Sequence, residues 1–357
     1  MEDLAIGLRA YAGRRVLVTG HTGFKGGWLA LWLRELGAEV FGYALPAATN
    51  PSLWQATRLG ELVPGVLADI RDSQAITKAL DNFQPEIVLH LAAQPLVRKS
   101  YLIPAETYAV NLTGTINLLE AVRRCDSVRA VLVVTSDKCY ANHEWLWPYR
   151  EQDTLGGHDP YSSSKACVEL LCASWRDSFL RDAGIALATA RTGNVLGGGD
   201  WSVDRLVPDV LHAWQQGKHL ALRYPQATRP WQHVLEPLHG YLLLAQALVE
   251  RGDAVASAWN FGPDTEGIAK VCDLIDCLAG LWPDAAGWKQ DGSLRPHEAG
   301  LLALDSSKAR HHLGWHPCWT LRRTLEQTLA WHRAWQAGED MQTFSCEQIA
   351  AYQGEVS

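Results

Sequence analysis

From Arg15 onward the chain alternates short apolar runs with amphipathic stretches, and this rhythm predicts its elements. Residues 15–19 (Arg-Val-Leu-Val-Thr) read as a buried strand, followed by a glycine-rich turn and a helical stretch over 27–36. Further strands fall at 39–43, 65–69, 87–91, 130–135 and 186–191. Helices fit between them at 73–82, 107–124 and 160–183. Strands that alternate with helices pair in parallel through right-handed crossovers. The expected fold is therefore α/β: a Rossmann-like doubly wound parallel sheet with a smaller, mainly C-terminal substrate-binding lobe. Its ligand should sit at the carboxyl ends of the strands.

After Arg191 the rhythm breaks. Residues 193–200 are glycine-rich, 222–231 carry Arg223, Arg229 and two prolines, 236–249 look helical, and 258–261 read as a further strand of the sheet. We expect a cofactor domain over 12–194, completed by 232–262. A substrate lobe then comprises 195–231 and 263–340, and the polar residues 341–357 form a mobile tail.

Composition narrows the classes. With 357 residues, 47% of them hydrophobic and 20% charged, the chain is ordinary globular protein, too long for one small core. A net charge of −7 gives no general attraction to nucleic acid or anionic membrane. The eight cysteines form no CxxC pair and no Cys/His cluster of zinc spacing, so no metal is expected and the thiols read as buried and reduced. No apolar run approaches the ~18 residues of a membrane span. Residues 1–13 lack the apolar core of a signal peptide, and the expected location is cytoplasmic. Sixteen tryptophans against two methionines point to packing by large aromatics.

Gly20-His21-Thr22-Gly23-Phe24-Lys25-Gly26 follows the first strand directly and opens a helix. Such glycines allow a tight turn and bring backbone N–H groups and a helix N-terminus to a pyrophosphate. The spacing is GxxGxxG rather than GxGxxG. The second strand ends without a carboxylate for a ribose, and NAD is favoured over NADP by the lack of an arginine at that corner. Asp69 is placed to hold an adenine amino group, with Ile70 against the ring.

Tyr161 and Lys165 open a helix after Asp159-Pro160, and a separation of four puts them on one face. A phenol of pKa about 10 is a poor base, and an adjacent ammonium is expected to lower it. Thr135-Ser136-Asp137-Lys138 ends the fifth strand. Ser136 can bond a substrate hydroxyl, and Asp137 can serve as an acid if its pKa is raised.

Together these motifs resemble the extended short-chain dehydrogenase/reductase family, which acts on nucleotide sugars. The resemblance rests on Gly20 to Gly26, on His90-Leu91-Ala92-Ala93-Gln94, on Asn111 with Gly114-Thr115, on Tyr161/Lys165 and on Asn194. Ser136-Asp137-Lys138 stands where the sugar 4,6-dehydratases of that family carry an acid-bearing triplet. A lysine in its third place is similar to the branch that acts on CDP-glucose, as are the runs 197–201 and 227–234. The resemblance implies an NAD-dependent hydro-lyase that converts CDP-glucose to CDP-4-dehydro-6-deoxyglucose and water. Its implied catalytic residues are Ser136, Asp137, Lys138, Tyr161 and Lys165. The NAD site would comprise the Gly20–Gly26 loop, Asp69, Ile70, Leu91 to Gln94, Thr135, Tyr161, Lys165 and Asn194. The implied sugar-nucleotide contacts are Asn194, Arg205, Arg223, Arg229 and His297, the arginines suiting a diphosphate by their planar forks. Lys138 is either the base at sugar C5 or an electrostatic stabiliser of the enolate. The long helices imply a homodimer or homotetramer. A dehydratase or 4-epimerase of another nucleotide sugar is the nearest rival, and a non-enzymatic NAD-binding scaffold the more distant one.

Overall fold

The computed structural model describes residues 8–264, 267–291 and 300–356. Its first half runs β1 (Arg15–Thr19), α1 (Phe24–Glu35), β2 (Glu39–Ala44), β3 (Gly65–Leu67), α2 (Ser73–Phe83), β4 (Ile87–His90), α3 (Gly114–Val122), β5 (Ala130–Val134), α4 (Pro160–Trp175) and β6 (Ala186–Thr192). Then follow β7 (Asn194–Leu196), α5 (Leu206–Gln215), β8 (Leu220–Leu222), β9 (Thr228–His233), α6 (Leu235–Arg251) and β10 (Ala258–Phe261). The last stretch holds β11 (Ile268–Lys270), α7 (Val271–Ala279), β12 (Trp288–Gln290), α8 (Ser307–Leu313), α9 (Leu321–Gln336) and α10 (Met341–Val356).

Seven strands form one sheet in the order β10-β6-β5-β4-β1-β2-β3, with every neighbouring pair parallel. Both faces are covered, which is why its central strands are apolar throughout. Alternate residues feed opposite cores. Val16 and Val18 of β1, Ile87 and Leu89 of β4, and Ala130, Leu132 and Val134 of β5 pack with α1 and α6. Leu17, Val88, Val131 and Val133 pack with α2, α3 and α4. Chain order reverses between β1 and β4, so Gly20 and Leu91 flank the crevice where such sheets bind ligands. A third core, built on Trp214, Trp231, Ile275 and Leu325, lies under the small sheets β11-β9-β7 and β12-β8. Trp28, Trp32, Trp259, Trp315 and Trp331 are fully buried, so tryptophan serves mainly as packing.

Three expectations change. The helix over 107–124 begins earlier, with a short helix at Pro104–Tyr108, and runs through a π turn at Ala109–Thr113 into α3. The helix over 160–183 is α-helical only to Trp175 and closes through a π turn at Arg176–Leu180. The supposed tail over 341–357 is instead helix α10, docked on α1. Met341, Ile349 and Tyr352 bury themselves, and the Tyr352 hydroxyl donates to Glu236 at 2.7 Å. No helix among the described residues is long and apolar enough to cross a membrane. The eight cysteines are free thiols.

Candidate active site

One continuous cavity of about 660 Å³ runs along the carboxyl ends of the strands and into the small lobe. Gly20, Thr22 to Gly26, Asp69, Ile70 and Leu91 to Ala93 line one end of it. Ser136, Asp137, Lys138, Tyr161 and Lys165 line the middle, and Asn194, Arg205, Arg223 and Arg229 the far end.

At the first end, the loop requires its glycines. Gly20 holds φ +78°, and a Cβ there would stand 2.8 Å from the Ala92 nitrogen. A Cβ on Gly26 would stand 2.1 Å from the Gly20 carbonyl oxygen. Helix α1 starts at this point with no side-chain cap and no acid in its first turn, so its N-terminal field is open to an anion. Thr22 donates to the Leu45 carbonyl at 2.7 Å, which fastens the loop to the end of β2. The Thr19 hydroxyl accepts from Leu91 N and Ala92 N, both at 3.1 Å, and fixes the facing loop. Open glycines, a free helix N-terminus and the apolar Ile70 are a set that fits a dinucleotide.

Beyond the end of β3, Arg71 forks onto the Asp69 carboxylate through Nε and NH2 (2.6 Å for the latter). Its hydrogen bonds hold the Asp69 carboxyl below its usual pKa. Gln94 is buried. Its side chain is consumed by Leu96 and Thr107, and its backbone N–H donates to Asn111 Oδ1 at 2.8 Å. Asn111 in turn donates to Ser164 Oγ at 2.9 Å, so this pair ties the β4 loop to α4.

In the middle, Asp159 caps α4 by accepting from Ser162 N at 2.9 Å, with Pro160 in the first turn. That start presents Tyr161 and Lys165 to the cavity, and Lys165 Nζ donates to the Val134 carbonyl at 3.1 Å. Ser136 donates to the Asp137 carboxyl at 3.0 Å and stands near enough to Tyr161 to draw the pKa of its phenol down. Asp137 is 2% exposed, and its Oδ2 is buried without a partner among the described residues. Burial pushes its pKa up, against the pull of Lys138, the Ser136 bond and Arg229. The Tyr161 expectation reverses: burial pushes the phenol up to about 12, while Ser136 and Arg205, not Lys165, pull it back. Burial lowers Lys165 to about 8, with Glu169 opposing. Lys25 is lowered to about 7 by burial, then by Arg205 and Lys165.

At the far end the three predicted arginines meet the same cavity. Arg229 is buried and Arg223 pairs with Asp204 at 3.6 Å. Arg98, which sequence reasoning missed, also lines the cavity and pairs with Asp204. It lies just past the His90–Gln94 run, where a basic pair Arg98-Lys99 was the available signal. His297 falls outside the described residues.

A doubly wound sheet with a glycine loop at its switch point and a Tyr/Lys pair on the crevice helix defines a dinucleotide-dependent dehydrogenase-like enzyme. The chain belongs to the NAD dependent epimerase/dehydratase family, whose sequence model matches residues 16–258. It is 50% identical to a CDP-glucose 4,6-dehydratase of Salmonella typhimurium over 347 residues, covering 96% of this chain and 97% of that protein. A dTDP-glucose 4,6-dehydratase of Xanthomonas campestris is 26% identical, covering 94% of this chain and 98% of the relative. Among solved structures, an epimerase of Methanothermobacter thermautotrophicus superposes with a TM-score of 0.80 at 24% identity, covering 94% of this chain and 96% of that one. A UDP-glucose-4-epimerase of Stenotrophomonas maltophila, solved with bound NAD and formylated UDP-arabinopyranose, gives 0.77 at 22%, covering 91% and 99%.

Proposed function

We propose that this chain is a CDP-glucose 4,6-dehydratase that uses NAD and yields CDP-4-dehydro-6-deoxyglucose and water. The observation that carries the reading is the meeting of Tyr161, the buried Asp137 carboxyl and Lys138 in one cavity, with Ser136 donating to Asp137 at 3.0 Å. A tyrosine alone accounts for hydride transfer at a carbinol. A second, protonated acid beside it accounts for expelling water. The nucleotide choice rests on the similarity to the Salmonella enzyme together with Lys138.

When bound, NAD supplies the acceptor for the C4 hydride and returns it at C6. The Gly20–Gly26 loop and the N-terminus of α1 would hold its diphosphate, with Asp69 and Ile70 at the adenine. Tyr161 takes the proton of the sugar 4-hydroxyl, its phenolate favoured by Ser136 and Arg205, and the Lys165 ammonium one turn further on α4 would hold the cofactor ribose. The new ketone at C4 acidifies C5. Lys138 takes the C5 proton, which requires its amine to have shed its own proton first, and gives a proton back to C5 when hydride arrives at C6. Asp137 gives its proton to the departing 6-hydroxyl, as a carboxyl held neutral by burial can. Arg205, Arg223 and Arg229 would bind the CDP diphosphate.

Incubating the protein with CDP-glucose and NAD should produce the strong alkaline absorbance of a 4-keto sugar. Product from another nucleotide sugar, with none from CDP-glucose, would sink the substrate assignment. The same reading carries a homodimer or homotetramer, since Leu102, Leu170 and Phe179 expose apolar surface on and beside α4. Sedimentation of a monomer would refute it.

A further inference from the structure

Behind the cavity lies a buried ion pair that the mechanism above does not use. Glu169 and Arg191 are 2% and 3% exposed at their side chains, with Arg191 NH2 2.8 Å from Glu169 Oε2. Glu169 stands one turn beyond Lys165 on α4, and Arg191 lies in β6. The carboxylate also accepts from the hydroxyls of Thr135 and Thr189, the latter at 2.7 Å. Arg191 NH1 donates to the Tyr140 hydroxyl at 2.7 Å and to the Glu151 carbonyl at 3.0 Å, and its guanidinium lies over the Tyr140 ring. Tyr140 donates onward to Asn260 Oδ1 at 2.8 Å, at the end of the sheet.

Thr135 is the residue before Ser136-Asp137-Lys138, and Tyr140 is two residues after it. One ion pair therefore grips the reactive triplet from both sides. We infer that Glu169 and Arg191 are positioning residues, which fix the Ser136–Lys138 turn and hold the Lys165 ammonium beside Tyr161. The inference rests on the dehydratase reading for the role of the triplet, not for the role of Lys165.

Stability is a poor account of the pair. A buried ion pair is often no more stabilising than well-packed apolar side chains of equal volume. Here Arg191 Nε is also buried without a partner among the described residues, which costs stability further. What the pair supplies is direction, because carboxylate and guanidinium bond at fixed angles. The charge matters as well. Lys165 faces Tyr161, Glu169 and Cys172 on its own helix, Cys139 from the turn after β5, His90 at the end of β4, and Lys25 from α1. Glu169, its pKa held low chiefly by Arg191 against the penalty of burial, leads the groups that keep Lys165 protonated.

Two variants test this, with wild type assayed on CDP-glucose alongside to keep the substrate reading separate. Tyr140→Phe removes one hydroxyl and no charge. It should lower kcat roughly 10- to 100-fold with KM nearly unchanged, the loss expected from a small misplacement of reacting groups. Bound NADH should build up during turnover, because elimination is slowed and oxidation is not. Glu169→Gln should lower kcat and move its alkaline limb to lower pH, since without the carboxylate Lys165 loses its proton earlier. A substrate-free readout covers failure of the CDP-glucose reading: the pH dependence of Lys165 acetylation by acetic anhydride, followed by peptide mass spectrometry. In Glu169→Gln its midpoint should fall relative to wild type. Wild-type kcat and NADH levels in Tyr140→Phe would overturn the positioning of the triplet. An unmoved Lys165 midpoint in Glu169→Gln would overturn the charge role, and if that variant does not fold, Glu169→Asp takes its place, since a carboxylate drawn back from Lys165 should lower the midpoint in the same direction.

Discussion

At the scale of single residues, burial governs the site. It raises Tyr161 and Asp137 and lowers Lys165 and Lys25, so each group is pushed toward its neutral form. For Asp137 that is useful, because a general acid must carry its proton at neutral pH. Asp137→Asn should therefore oxidise the sugar but stall before water loss, with NADH absorbance persisting on the enzyme and turnover falling by ~10²–10⁴-fold. A wild-type rate would remove Asp137 from the elimination. Lys138→Ala is the matching test at C5: if solvent exchange at that carbon keeps its normal rate, another group is the base. The sign for Lys165 follows from its depressed pKa. Its ammonium is present below about pH 8 and lost above it, so turnover should fall on the alkaline side as the pH passes that value.

At the scale of elements, the phosphate loop shows how little freedom a backbone contact leaves. Gly26→Ala would drive a methyl into the Gly20 carbonyl and force α1 away from the crevice. We expect cofactor binding weaker by at least about tenfold, equivalent to ~1.4 kcal/mol, by titration calorimetry, together with a lower melting temperature. Affinity equal to wild type would show that the loop can relax. This loop was legible in the sequence because its signal is local: a strand, spaced glycines and a helix in direct succession. So were the strands, whose apolar runs are buried on both faces. Helix α10 was not legible. It carries no apolar stripe, and what docks it is tertiary: Tyr352 on Glu236, and the Ser345 hydroxyl accepting from Trp331 Nε1 at 2.9 Å. The bonds that hold Gln94 were hidden for a related reason. Its place in the motif is local, but the Asn111 contact that claims its backbone comes from a distant helix.

At the scale of the whole molecule, the cavity is closed between lobes by charges that no local pattern reveals. Asp204, held at φ +60°, pairs with Arg98 from the short helix Val97–Leu102 that follows β4 and with Arg223 from the end of β8. Asp209 lies nearby with its pKa raised to about 6, first by burial and then by the Asp204 charge. One carboxylate thus sits on two cations that line the same cavity as the predicted diphosphate arginines. A diphosphate offers those arginines more oxygens and more charge than a single carboxylate does. Binding of the nucleotide sugar should then displace Asp204, and the exchange sets part of the apparent affinity. Asp204→Asn should lower KM for the nucleotide sugar several-fold, because a neutral amide competes weakly for guanidinium. Arg98→Ala should raise KM by ~10-fold or more, the worth of one charge-assisted bond, with kcat little changed. Both effects should shrink as salt screens the exposed partners. Steady-state kinetics at low and high ionic strength measure all three. If Asp204→Asn raises KM instead, Asp204 orders the arginines for the substrate rather than competing with it, and the displacement argument fails.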